Sequence, residues 1–220
     1  MRHIHSQDHA QTQAAAAQAS TAELVSALVQ ARQTILPKRL GGPGPDAAQL
    51  QAILAAAGHA PDHGCLLPWR FILVPQQARA ALGDAFAQAL LERDPLATAD
   101  QQEQAREKAF RAPVLLLAVV DEQCGDPEIT PSERMVSAGC AVQNLLLMAT
   151  AQGFGSALTS GKALHSHALR TLFALRGSER ALCFVSLGSV VSRKPVRPRP
   201  MPAHYIGTLV PGQGVQPWTS

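Results

Sequence analysis

Apolar positions change period several times along this chain, and each change marks an element. From Ser20 the spacing of Leu24, Val25 and Leu28 is helical, Ser20-x-x-Glu23 reads as a capping box, and the helix is expected to close near Arg32. After Gly41-Gly42-Pro43-Gly44-Pro45, Asp46 suits an N-cap. Leu50, Ile53, Leu54 and Ala57 then recur at helical spacing until Gly58 and Pro61 end the run. Residues 70–74 read as a buried strand. Residues 76–110 read as helix broken at Asp94-Pro95, with Leu82, Phe86 and Leu90 at core spacing and a charged, solvated second half. The unbroken apolar run 114–120 has the pattern of a central strand. A polar loop, 121–132, reads as a mobile segment beside a site. The helix 133–152 follows, so apolar through Met135, Val142, Leu145, Leu146 and Met148 that burial on more than one side is expected. A helix over 166–175 and a strand over 181–187 complete the pattern, and Pro195, Pro198, Pro200 and Pro202 favour an extended tail.

With 220 residues and 46% apolar side chains, the chain can bury a substantial core in one domain with tails. Residues 1–19 are polar or Ala-rich and read as a disordered leader; His3, His5 and His9 fall in it, and a solvated tail is the simpler reading than a metal site. The expected domain runs over 20–210, with a C-terminal tail over 211–220. Net charge is only +3, concentrated late at Arg193, Lys194, Arg197 and Arg199, and aromatics make up 4%, which argues against a nucleic-acid surface. Cys65, Cys124, Cys140 and Cys183 form no CxxC pair, the usage of free thiols in a reducing compartment. No apolar run is long enough to span a bilayer, so a cytoplasmic protein without membrane partners is expected.

Chemistry concentrates in the turn Pro61-Asp62-His63-Gly64-Cys65-Leu66-Leu67-Pro68-Trp69-Arg70-Phe71. Prolines stiffen both ends, Gly64 permits unusual backbone angles, and Trp69 can fill an apolar slot while its N–H finds an acceptor. His59 and His63 stand four apart, but Pro61 breaks the helix that would bring them onto one face, so no metal is expected there. Earlier, Arg32-Gln33-Thr34-Ile35-Leu36-Pro37-Lys38-Arg39 offers guanidinium forks and a hydroxyl to an anion, or answers the macrodipole of the preceding helix. Gly153-Phe154-Gly155-Ser156 imitates a dinucleotide fingerprint but lacks the third Gly and follows a helix instead of a strand, which excludes a Rossmann site.

Ala60-Pro61-Asp62-His63 with Pro68-Trp69-Arg70-Phe71, the Arg32-Gln33-Thr34 triplet, and Ala151-Gln152-Gly153-Phe154-Gly155 after the long helix resemble, in order, motifs of the nitroreductase family. The likeness is to its short NAD(P)H nitroreductase branch. It implies an α+β fold, a mostly antiparallel sheet flanked by helices, in a homodimer whose C-terminal tail crosses to the partner. It also implies FMN at the interface, contacted by Arg32, Gln33, Thr34, His59, His63, Leu158, Thr159 and Ser160, with His63 supplied by the neighbouring chain. NAD(P)H would approach Met148, Ala149, Thr150, Ala151, Gln152 and Gly153, and Arg197 or Arg199 is a candidate for the flavin phosphate. The implied reaction is ping-pong hydride transfer to a nitroaromatic, quinone or similar acceptor, with no side chain needed as acid or nucleophile.

This chain departs from the family at Gln33, where the motif has Arg, at His59, commonly Arg, and at Leu158-Thr159, often Trp-Arg. Two other readings stay open: a flavin-binding protein without turnover, and a hydrolase or transferase with Cys65 as nucleophile and His63 or His59 as base.

Overall fold

The computed structural model describes residues 20–218; the leader and its three histidines lie outside the described residues. A first helix, α1, covers 20–31. Its apolar face does form, but this chain leaves it uncovered: Leu24, Val25 and Val29 are all more than half exposed. Asp46 caps α2 (Ala47–Ala57) through a reciprocal capping box with Gln49. The break at Asp94-Pro95 divides the next helical stretch into α3 (Arg79–Arg93) and α4 (Ala99–Glu107), the latter started by a capping box from Thr98 and Gln101. The long helix α5 (Pro131–Ala151) begins two residues earlier than the apolar pattern, because Thr130 and Glu133 cap it and Pro131 takes the first helical position. Last comes the short α6 (His167–Leu172), whose exposed amides at His167 and Ala168 both bond the Glu92 carboxylate.

The strands are β1 (Leu40–Gly41), β2 (Trp69–Leu73), β3 (Val114–Asp121), β4 (Gly155–Thr159) and β5 (Glu179–Val190). They form one antiparallel sheet in the order β1-β5-β3-β2, with β4 also paired to β5. Alternation on β3 explains its unbroken apolar run. Leu116 and Ala118 pack toward α2 and α5 with Ile53, Val142, Leu145 and Val185. Leu115, Leu117 and Val119 pack toward α3 and α6 with Leu82, Leu169 and Phe184. Truncating a side chain as buried as Leu117 or Leu145 would cost about 2–5 kcal/mol.

Two expectations are corrected and a third is extended. β2 is an edge strand with Leu73 46% exposed, instead of a buried one, and among the described residues no strand pairs beyond it. The tail is extended over 192–201, as its prolines favour, and beyond them turns into a hairpin of β6 (Gly207–Val210) and β7 (Gly214–Pro217), closed where Gly212 and Gly214 take positive φ. The 121–132 loop is tied down from α5: Arg134, 2% exposed, spreads its guanidinium over the main-chain oxygens of Cys124, Asp126 and Ile129.

A second buried arginine went unforeseen. Arg79, at the start of α3, is 1% exposed and donates to the carbonyls of Val74 at 2.9 Å, Ala109 at 2.6 Å and Pro113 at 3.3 Å. Burial lowers its pKa, and the carbonyl cage compensates the desolvated charge.

Candidate functional site

The segment after α1 is held by the sheet. Thr34 forms a parallel bridge with Ser156, the Ile35 amide donates to the Ser156 carbonyl at 2.8 Å, and Ile35 itself is 3% exposed. Pro37 then opens a single 3-10 turn, Pro37–Arg39, that leads into β1. Pinning Ile35 inward fixes its neighbours. Arg32, Gln33 and Thr34 line a cleft of about 360 Å3 whose other wall is the tail segment with Lys194, Arg197 and Arg199. Arg199 Nη2 donates to the Arg32 carbonyl at 3.3 Å. No carboxylate lines this cleft, and none of its cations forms an ion pair among the described residues. Several guanidinium groups without a carboxylate, beside a hydroxyl, make the donor set of an anion site.

The end of β4 divides two further cavities. Leu158, 43% exposed, lies with Arg32, Thr34, Arg199 and Leu146 of α5 around a cavity of about 530 Å3. Thr159 and Ser160 line a third, of about 480 Å3, toward α3 and α4. Leu36 borders both the tail cleft and this third cavity.

Residues 148–153 end α5. Ala149 is fully buried in the core and Thr150 Oγ1 is engaged with the Leu146 carbonyl at 2.8 Å. Gly153 turns the chain at φ +84. Thr150 and Gly153 reach a small cavity that also touches Gln33 and Arg193, while Met148 packs partly buried against the core.

The 61–69 turn is built from left-handed backbone at Gly64, Cys65 and Leu67, with φ of +69, +51 and +46. Asp62 Oδ2 accepts from the Leu67 amide at 2.7 Å and Trp69 Nε1 donates to Ser137 Oγ at 3.0 Å, which fastens the turn to α5. Gly64 suits its left-handed backbone, and a Cβ there would stand 2.8 Å from Ile129 Cδ1, which would have to turn aside. His63 Nδ1 lies 3.0 Å from Glu133 Oε1. The Glu133 carboxyl is lowered from 4.5 to about 2, first by the Thr130 amide and then by His63, so it is ionised and the imidazole Nδ1–H donates. His59 sits exposed past the end of α2. The two cavities that Arg32 and Thr34 share do not include His59 or His63.

Cys65 is exposed, and among the described residues no hydrogen bond joins it to an imidazole. Geometry therefore supplies no base for the cysteine nucleophile considered from sequence.

The nitroreductase family model matches residues 29–189 of the chain, which include the Arg32 segment, the 61–69 turn and the β4 edge. The chain belongs to the nitroreductase family. A relative from Haemophilus influenzae, named "Putative NAD(P)H nitroreductase", is 36% identical over 152 residues, covering 69% of this chain and 82% of its own length. Among solved structures, a nitroreductase-like family protein from Bacillus cereus superposes with a TM-score of 0.73 at 18% identity, covering 86% of this chain and 96% of that one. The FMN and NADPH-dependent nitroreductase NfnB of Sphigopyxis sp. strain HMH superposes with a TM-score of 0.65 at 20% identity, covering 82% and 96%. These structures share the nitroreductase fold, the α+β sheet and helices described above.

No helix among the described residues is long and apolar enough to cross a membrane. Lys108, Arg111 and Ser186, on the third cavity, were not singled out from sequence, and Lys38, read there within the anion segment of Arg32, lines this cavity instead of the tail cleft. Lys108 and Arg111 stand three apart on one segment, but no spacing links them to Lys38 or Ser186.

Proposed function

We propose that the protein is an FMN-dependent oxidoreductase of the cytoplasm, passing a hydride from NAD(P)H to a nitroaromatic, quinone or similar acceptor in two half-reactions. The observation that carries this reading is the tail cleft, where Arg32, Arg197, Arg199 and Thr34 gather without a carboxylate or an ion-pair partner. That donor set fits a phosphomonoester, which needs forked cations and hydroxyl donors. When bound, FMN supplies the hydride chemistry.

The chain's own residues then bind and orient. Arg32, Thr34 and the tail arginines hold the phosphate end, Gln33 flanks it, and Leu158, Thr159 and Ser160 border the ring end where β4 closes. Residues 148–153 offer the nicotinamide donor a firm wall, because α5 is anchored in the core at Ala149. No side chain is assigned as acid, base or nucleophile.

A homodimer completes the reading. His59 and His63 stand apart from the Arg32 cleft in their own chain, and Glu133 fixes the His63 imidazole at the surface, so that these side chains would serve the site of a second copy. The uncovered apolar face of α1, with Leu24, Val25 and Val29, supplies surface for such a contact, and the β6–β7 hairpin is a segment that would cross.

The test is a visible spectrum of the purified protein before and after anaerobic NADPH or NADH. Flavin absorption that bleaches with the reductant and returns on adding a quinone is expected. A colourless protein that does not take up added FMN overturns the reading, and one that holds FMN but oxidises neither nucleotide reduces it to flavin binding without turnover.

A further inference from the structure

Apart from Thr159 and Ser160, the residues around the cavity of about 480 Å3 toward α3 and α4 have no part in the flavin reading. Its floor is the sheet itself: Phe184 and Ser186 on β5, with Leu115 on β3, project to one face by alternation. Phe86 and Leu90 of α3 form a wall, and Phe86 meets Phe184 edge-on with ring centroids 5.5 Å apart. The rim carries Lys38, Arg93, Lys108, Arg111 and Lys162, and no carboxylate.

Helix ends account for only part of that charge. Arg93 and Lys108 lie at the C-terminal ends of α3 and α4, where a cation answers the macrodipole, but Lys38, Arg111 and Lys162 come from turns. Among the described residues none of the five forms an ion pair. Ser186 is an independent mark. It is 2% exposed and lines the cavity, so the apolar floor holds one hydroxyl within reach of a ligand. A hydroxyl in that position can donate to or accept from a polar substituent of a bound ring.

We propose that this cavity binds a small aromatic carboxylate, its ring against Phe86 and Phe184, a polar substituent on Ser186 Oγ, and its carboxylate at the cationic rim. A volume of this order suits a one-ring or two-ring ligand. Because Thr159 and Ser160 border both this cavity and the proposed flavin edge, an aromatic acid bound here is placed to be the electron acceptor. Naming it the acceptor rests on the function proposed above; the binding does not.

The experiment compares 4-nitrobenzoate with its neutral counterpart 4-nitrobenzamide by calorimetric titration of the full chain saturated with FMN. The carboxylate is expected to bind about tenfold more tightly at low salt, with the difference shrinking as salt rises. The double variant Lys108→Gln/Arg111→Gln, both surface positions, is expected to bring the two affinities together. Equal affinities in the unaltered protein, or a carboxylate preference untouched in the double variant, overturn the inference. So does one-for-one displacement of 4-nitrobenzoate by FMN from the flavin-free protein, which would give the cavity to the cofactor. Charge-selective binding with no NAD(P)H oxidation leaves the site standing and removes the oxidoreductase reading. Quinone reduction without charge-selective binding does the reverse.

Discussion

The Arg199 guanidinium donates to the main-chain oxygen of Arg32 across 167 positions of sequence, at 3.3 Å. This contact closes the tail onto the first helix and leaves the rest of the Arg199 fork, and all of the Arg32 fork, turned to the cleft without a carboxylate partner. Arg199→Ala is expected to weaken FMN binding about tenfold, the value of one charge-assisted hydrogen bond. The melting temperature of the flavin-free protein should not move, since the contact is exposed. Fluorescence titration with FMN measures the first and thermal unfolding the second; unchanged FMN affinity would remove the tail from the site.

Glu179, its side chain 1% exposed, accepts two bonds from Arg70, at 2.8 and 3.2 Å, and more from Arg176. Arg70 first, and Arg176 after it, hold its carboxyl at about 2 instead of 4.5. A depressed carboxyl pKa stabilises the fold fully above the ordinary value, and that contribution is lost as pH falls from about 4.5 toward 2. Glu179→Gln is expected to cost about 2 kcal/mol at neutral pH, below the range for fully buried pairs because Arg70 is half exposed. Urea unfolding at pH 7 and pH 3 should show the difference between the two proteins narrowing in acid.

Arg79 is expected to tolerate no replacement. Arg79→Met fills similar volume but leaves the carbonyls of Val74, Ala109 and Pro113 unbonded, at a cost of about 3 kcal/mol or more. Arg79→Lys cannot span three oxygens with one ammonium and should recover only part of that loss. Chemical denaturation of the two variants checks the order.

Cys65→Ser is expected to leave NAD(P)H oxidation within about twofold of the unaltered protein. Its thiol is exposed, and the nearest imidazole in sequence, His63, is turned to Glu133. Loss of all activity in this variant would restore the cysteine nucleophile and remove the flavin mechanism.

Where local chemistry decides structure, the sequence was readable. Asp46 caps α2, Asp94-Pro95 breaks the α3–α4 stretch, and the run at 114–120 is a central strand, each as its pattern requires. What was hidden depends on distant partners. Nothing near Arg79 announces a buried cation, because its carbonyl cage comes from three separate segments. The edge position of β2 and the hairpin at the C-terminus likewise follow from pairing, which period alone does not encode. In the site, Arg32 and Thr34 were marked by a motif, and their approach to Arg197 and Arg199 was expected only through family likeness. Ser186 and the cations of the third cavity other than Lys38 had no motif, since an alternating strand and separate helix ends and turns bring them together.

Arg134 grips the 121–132 loop by main-chain oxygens alone. Its hold is therefore blind to which side chains the loop carries. Gln123, Pro127 and Glu128 are exposed and can be exchanged while the course of the chain stays the same, whereas a side chain at Gly125 is strained by its φ of +67 and would push Leu66 aside. The loop thus separates path from content, which makes those positions a natural place for descendants, or a designed library, to explore new surface chemistry without refolding the protein.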